Sequence, residues 1–136
     1  MRNIVDFHHH WMPREHVERL ERYIRPREEI VEVTLSDGQV SKRIMRDGMA
    51  MHNAVPSLYS VDERLEHMDQ ASVAAAVFTL GTYTSWVDNI RMSQEVNDAM
   101  AKVVSEKPSR FFGAAHVPLT IAGAHELERC AKDYGF

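Results

Sequence analysis

A chain of 136 residues carries 16 Lys+Arg against 20 Asp+Glu, a formal net charge of −4, with 44% hydrophobic residues, six Gly, five Pro and one Cys. That composition suits one ordinary globular unit and excludes disordered, collagen-like and disulfide-stapled chains. The acidic balance and even mixing of signs leave no basic stripe for a phosphate backbone, so nucleic acid is not an expected partner. The longest apolar run, Val73 to Phe78, falls far short of the ~20 residues that cross a bilayer. No membrane partner is expected, and with no basic-then-apolar leader the expected location is the cytoplasm. The lone Cys130 cannot form an intramolecular disulfide and reads as a small packing residue.

Asn3 to His9, opening on Ile4, Val5 and Phe7, predicts a short buried strand. Pro13 opens a helix whose apolar stripe is Val17, Leu20 and Ile24, and Arg25 before Pro26 stops it. From Ile30 to Ile44 the period is two, interrupted by Ser36-Asp37-Gly38-Gln39, which predicts a β-hairpin over residues 29–46. Residues 47–59, with Gly48, Asn53 and Pro56, read as an irregular loop. Ser60 three residues before Glu63 predicts a helix start in which side chain and backbone satisfy each other reciprocally, with Leu65 and Met68 on the buried side.

Val73 to Leu80 is a continuous apolar run of strand length, as expected for a strand covered on both faces. Ser85 to Lys107 carries the longest helical pattern, with Val96, Met100, Val103 and Val104 at helical spacing and Pro108 ending it. Phe111 to Leu119 is the third apolar strand candidate. Thr120 caps a last helix whose apolar stripe is Ala124, Leu127 and Ala131, with Gly135 as its stop. Strands alternating with helices predict an α/β fold with parallel pairing and right-handed crossovers. A closed eight-stranded barrel needs about 250 residues, so three such units read as part of a larger fold.

Asp6, His8 and His10 lie at i, i+2 and i+4, so a regular strand projects them from one face and Phe7 and His9 from the other. Two imidazoles roughly 6 to 7 Å apart along a strand can share one metal ion after modest side-chain adjustment. The same residues also fit a histidine-rich strand end with no ligand role, since a catalytic site normally has three or more protein ligands.

Asp6-Phe7-His8-His9-His10-Trp11-Met12-Pro13 resembles the D-x-H-x-H-x-x-P opening of the amidohydrolase superfamily, in particular its aminocarboxymuconate-semialdehyde decarboxylase-like branch. Arg64-Leu65-Glu66-His67-Met68-Asp69 is similar to that branch's R-L-x-x-M-D helix. Asn97, Pro108-Ser109-Arg110-Phe111-Phe112-Gly113, Val117-Pro118-Leu119 and Glu126-Leu127-Glu128-Arg129-Cys130 follow its third βα unit in order and spacing. The resemblance covers nearly the whole chain. It implies the N-terminal portion, about three βα units, of a metal-dependent (β/α)8 TIM barrel, with 1–136 as a segment of that single domain and the 29–46 hairpin as an insertion.

The resemblance further implies His8 and His10 as ligands of a divalent metal, zinc above all, with Asp6 behind them. The activity it implies is decarboxylation or hydrolysis of a small carboxylic acid by a homo-oligomer. The family's other ligands and its acid/base groups come from later strands, so the catalytic groups lie beyond Phe136. Where the decarboxylase carries a substrate-binding Arg, this chain has His52, with Arg46 the nearest upstream Arg.

His52 reads as a substrate contact, a second neighbour of the metal or a solvated loop residue, and His116 as a site residue if it faces inward from the third strand. Asn97 is either a brace for a loop end or a surface residue. Trp11 and Trp86 fit a pocket wall or plain packing. His16, His67 and His125 stand among charged helical residues and are expected to be exposed. The alternative reading is a non-catalytic barrel fragment that associates with itself through open sheet edges, or several copies that rebuild a closed barrel.

Overall fold

The computed structural model describes residues 4–18, 24, 26–80 and 89–136, with the backbone alone at His52. In chain order the elements are β1 (Ile4–His10), α1 (Arg14–Glu18), β2 (Glu28–Thr34), β3 (Val40–Arg46), β4 (Met49–Asn53), a 3-10 turn (Pro56–Leu58), α2 (Val61–Gln70), β5 (Val73–Thr79), α3 (Ile90–Glu106), β6 (Phe111–Gly113) and α4 (Ile121–Arg129), which continues as a π-helical turn (Cys130–Tyr134). They build two three-stranded sheets, β1-β5-β6 and β2-β3-β4. The first is parallel throughout and the second antiparallel throughout.

The apolar run becomes β5, the central strand of the parallel sheet, where Ala76 and Phe78 are fully buried. Phe78 stacks on Phe111 at 4.4 Å and on Trp11 at 5.3 Å between ring centroids. Met68 and Met100 close this cluster from α2 and α3. A second cluster, Met12, Val17, Ile44, Leu58 and Met92, fastens the antiparallel sheet to α1, the 3-10 turn and α3. Each such buried side chain contributes about 1.5–3 kcal/mol of transfer free energy. Trp11 is therefore a packing residue, while Trp86 lies outside the described residues.

The caps of α2 and α4 are where the sequence predicts them. Ser60 and Thr120 each accept a backbone N–H, from Glu63 and Gly123 respectively, and Asn89 does the same for Met92 at the start of α3. At Ser60 the reciprocal half is absent, because the preceding 3-10 turn already takes the Ser60 N–H to Pro56 O at 2.8 Å. Gly135 adopts φ 69° and ends the last helix as expected.

Several expectations are corrected. Residues 47–59 are not simply a loop, since they contain β4 and the 3-10 turn. Helix α3 is described from Ile90; Ser85 to Asp88 of the predicted helix lie outside the described residues. For the first helix the description covers Arg14–Glu18, and Ile24 is not helical. The third strand stops at Gly113, because beyond Ala114 the chain is held by a side chain from α3 rather than by a ladder. His16 is 7% exposed, packed with Val17 in α1. Most markedly, α4 turns Gly123 and Glu126 inward while Ala124, Leu127 and Ala131 are exposed.

Candidate functional site

Strand β1 does not run regularly through its polar end. Asp6 pairs with Ala76 and His9 with Phe78, so three steps on β1 match two on β5, and the strand carries one extra residue between Asp6 and His9. A bulge of this kind re-aims side chains and disrupts alternation locally. His9 is thereby turned inward, 7% exposed, with its ring 5.9 Å from that of Phe78. Phe7 is 75% exposed while His9 is buried, so the two do not share one environment as side chains on a common face of a regular strand would.

Asp6 accepts the His8 backbone N–H on Oδ1 at 3.0 Å and bonds His9 Nδ1 through Oδ2 at 2.7 Å. The His9 bond holds the Asp6 carboxyl below the usual carboxylate range. Burial pushes the His9 and His10 imidazoles below their ordinary value.

The rings of His8 and His10 turn toward each other, with Nε2 atoms 2.8 Å apart and centroids 4.6 Å apart. Two nitrogens bound to one divalent ion at about 2.1 Å stand roughly 3 to 3.4 Å apart, so this pair needs only a few tenths of an ångström to chelate. The donor set therefore fits a divalent metal. Among the described residues no group of three or more His, Cys, Asp or Glu is placed to hold one, so further ligands would come from outside this set.

The pair opens on a cleft of about 310 Å³ whose walls include Asp6, Asn53, Ser57 and Arg64. In the sequence Arg64 stands out only as part of a helix motif. In the structure its Nη2 donates to the carbonyls of Ser57 and, at 3.4 Å, of His10, which places its charge in the cleft. The signal available in the sequence is an Arg one turn after a capped helix start, which alone does not say where the side chain reaches.

The other candidates are distributed differently. The His52 backbone pairs with Ile44 in the β3–β4 ladder, beside Asn53 of the cleft. Arg46 is engaged by the buried Glu28 across the β2–β3 ladder and is not a cleft residue. His116 is not among the described cleft-lining residues. Its backbone is gripped at both ends, N–H to Asn97 Oδ1 and C=O from Asn97 Nδ2, each at 2.9 Å. Asn97 is thus the loop brace, and it also donates to Glu126 Oε1 at 2.8 Å. Hydrogen bonds from Arg129 chiefly hold the Glu126 carboxyl down at about 2, and burial pushes the Cys130 thiol up to about 12. Cys130 is therefore the inert packing residue that its sequence context predicts.

The parallel sheet with helices crossing between successive strands is that of a portion of a (β/α)8 barrel. Dihydroxybenzoic acid decarboxylase from Polaromonas sp. JS666, solved with bound manganese and an inhibitor, aligns with 100% of this chain and 37% of its own at a TM-score of 0.65 and 22% identity, which establishes the fold. Among curated proteins, the chain is 28% identical over 100 residues to 2-amino-3-carboxymuconate-6-semialdehyde decarboxylase of Dictyostelium discoideum, covering 68% of this chain and 28% of that protein. It is 32% identical over 82 residues to gamma-resorcylate decarboxylase of Polaromonas sp., covering 55% and 25%. The chain thus spans about a quarter of the length of the curated relatives it matches. No family model matches it. Its relatives and structural neighbours are decarboxylases and amidohydrolases of the superfamily that the D-x-H-x-H opening resembles.

Proposed function

We propose that this chain supplies the first ligand-bearing strand of a metal-dependent decarboxylase or hydrolase acting on a small carboxylic acid in the cytoplasm. The observation that carries the reading is the convergence of His8 Nε2 and His10 Nε2 at 2.8 Å, at the end of a parallel strand where barrel folds place their chemistry. His8 and His10 would hold the ion, zinc being the expected one, although the Polaromonas neighbour contains manganese. A divalent ion there would supply Lewis-acid polarisation of a substrate oxygen or of water. The chain's own residues do the rest that is visible. Asp6 fixes the His8 backbone, and Arg64 brings a positive charge to the cleft that a carboxylate would enter. His52 and His116 are not needed for this reading.

Metal analysis of the purified protein tests it. Stoichiometric zinc or manganese is expected, lost in the His8→Ala, His10→Ala double variant together with any release of CO2 from 2,6-dihydroxybenzoate. Full metal occupancy in that variant would overturn the assignment.

A second reading, a non-catalytic fragment that associates with itself, is favoured by a specific observation. Among the described residues, strands β1 and β6 each pair on one side only, and they expose Phe7 at 75% and Phe112 at 51%. Open edges with exposed aromatics template association between chains. Sedimentation should then show oligomers, and a soluble, cooperatively unfolding monomer would contradict it.

A further inference from the structure

The bulge in β1 is built by a hydrogen bond that the metal assignment does not use. Two residues, Phe7 and His8, face one, Val77, and the segment is closed by Asp6 Oδ2 to His9 Nδ1 at 2.7 Å across three residues. His9 has two anchors, the Asp6 carboxylate on one side and the Phe78 ring on the other. A regular strand would send His9 to the face opposite Asp6, where no such bond is possible. The bond therefore requires the bulge. With the bulge in place His9 is turned inward, and His8 within the bulge and His10 after it point together.

We propose that His9, held by Asp6, is the positioning residue of this site: the pair sets the strand irregularity that brings the His8 and His10 imidazoles to a chelating separation. The inference rests on the reading of His8 and His10 as ligands, and it assigns a role to the one histidine of the three that does not face them. Its content is geometric. Removing the His9–Asp6 bond relaxes the bulge, so that the two outer rings return toward the wider spacing of a regular strand.

The test separates bonding from packing. His9→Phe keeps an aromatic ring against Phe78 and removes the bond, whereas His9→Asn removes the ring and keeps an N–H donor near the position of Nδ1. Binding of Zn2+ to the chain, measured by titration calorimetry, should weaken about 10- to 100-fold in His9→Phe, the range typical of residues that orient metal ligands. In His9→Asn it should stay within about threefold of wild type, as expected when the orienting bond is retained. Wild-type affinity in His9→Phe overturns the proposal. Should His9→Phe fail to fold by circular dichroism, Asp6→Ala is read instead, with the same expected loss and the same overturning result.

Failure of the metal reading is distinguishable. If the wild-type chain takes up no Zn2+, the proposed function fails, and the positioning role is read from proton NMR of the metal-free chain. A ring-to-ring contact between His8 and His10 is expected in wild type and His9→Asn, and lost in His9→Phe. Its persistence in His9→Phe overturns the proposal without reference to any metal.

Discussion

Two polar clusters in this molecule use the same parts and arrive at opposite properties. At the end of β1, a carboxylate holds a ring and a backbone N–H while two imidazole nitrogens open on a cleft. Between α3 and α4, Glu126 and Asn97 are 2% and 0% exposed, and their bonds run to Arg129, Cys130 and the His116 backbone. The second network is closed: its bonds end on the protein, and it locks one loop to two helices. The first closes Asp6 on His9 and sets the His8 and His10 imidazoles against each other, Nε2 to Nε2, on the wall of an open cleft. A satisfied buried network specifies structure, whereas convergent donors facing solvent specify a ligand.

Mutation should separate the two regions, and the largest effect belongs to the open one. His8→Ala should reduce Zn2+ affinity by at least about 100-fold, since one of the two proposed donors is gone. Its unfolding free energy should shift by less than about 0.5 kcal/mol, because the side chain is exposed. Calorimetric binding and urea unfolding of one preparation check both, and a stability loss as large as that of a core variant would break the comparison.

Asn97→Ala should do the reverse. It removes the bonds of Asn97 to the His116 N–H and to Glu126, at a cost of about 2–3 kcal/mol in urea unfolding. Zn2+ affinity should stay within about twofold, as expected of a residue outside the metal's orienting shell.

Acid titration sharpens the contrast. The Glu126 carboxyl sits at about 2 in the folded chain against 4.5 ordinarily, so the unfolded state binds more protons between those values. Stability from this network is complete above about 4.5 and is lost as pH falls toward 2; Glu126→Gln should flatten that limb of a stability-versus-pH curve. At the open cluster the imidazoles of His9 and His10 lie below their ordinary 6.5, so their contribution fades earlier, as pH falls below that value. Imidazole NMR shifts of the metal-free chain follow it. The smallest expected effect is at Phe7, where Phe7→Ser should alter stability by less than about 0.5 kcal/mol while reducing any self-association seen by sedimentation.

Much of the architecture is legible in the sequence because it depends on neighbours along the chain. The Ser60 and Thr120 caps, the turn at Asp37-Gly38 and the apolar run that becomes β5 are local signals, and each lies within a residue or two of its reading. What could not be read depends on pairing across the chain. The bulge in β1 exists only in register with β5, and nothing in Asp6-Phe7-His8-His9-His10 announces it. The orientation of α4 escapes a hydropathy reading because that places Leu127 inside, whereas Asn97 and Arg129 supply bonds that make Glu126 the buried residue. Arg64 reaches the cleft through tertiary carbonyls that its own helix does not contain.

Helix α4 also carries an unusual tolerance map. A methyl group at Gly123 would stand 1.9 Å from the Pro118 carbonyl oxygen, so that position admits no other residue without moving the helix. With Glu126 bonded and buried on the same side, and Cys130 following in the π-helical turn, the positions least open to exchange are a glycine, an acid and a thiol. Ile121 and Leu127, at 81% and 50% exposure, make little contact within this chain. Along this helix, the contacts made within the chain therefore run opposite to hydropathy, and a reading ranked by apolar character inverts the faces that these contacts define.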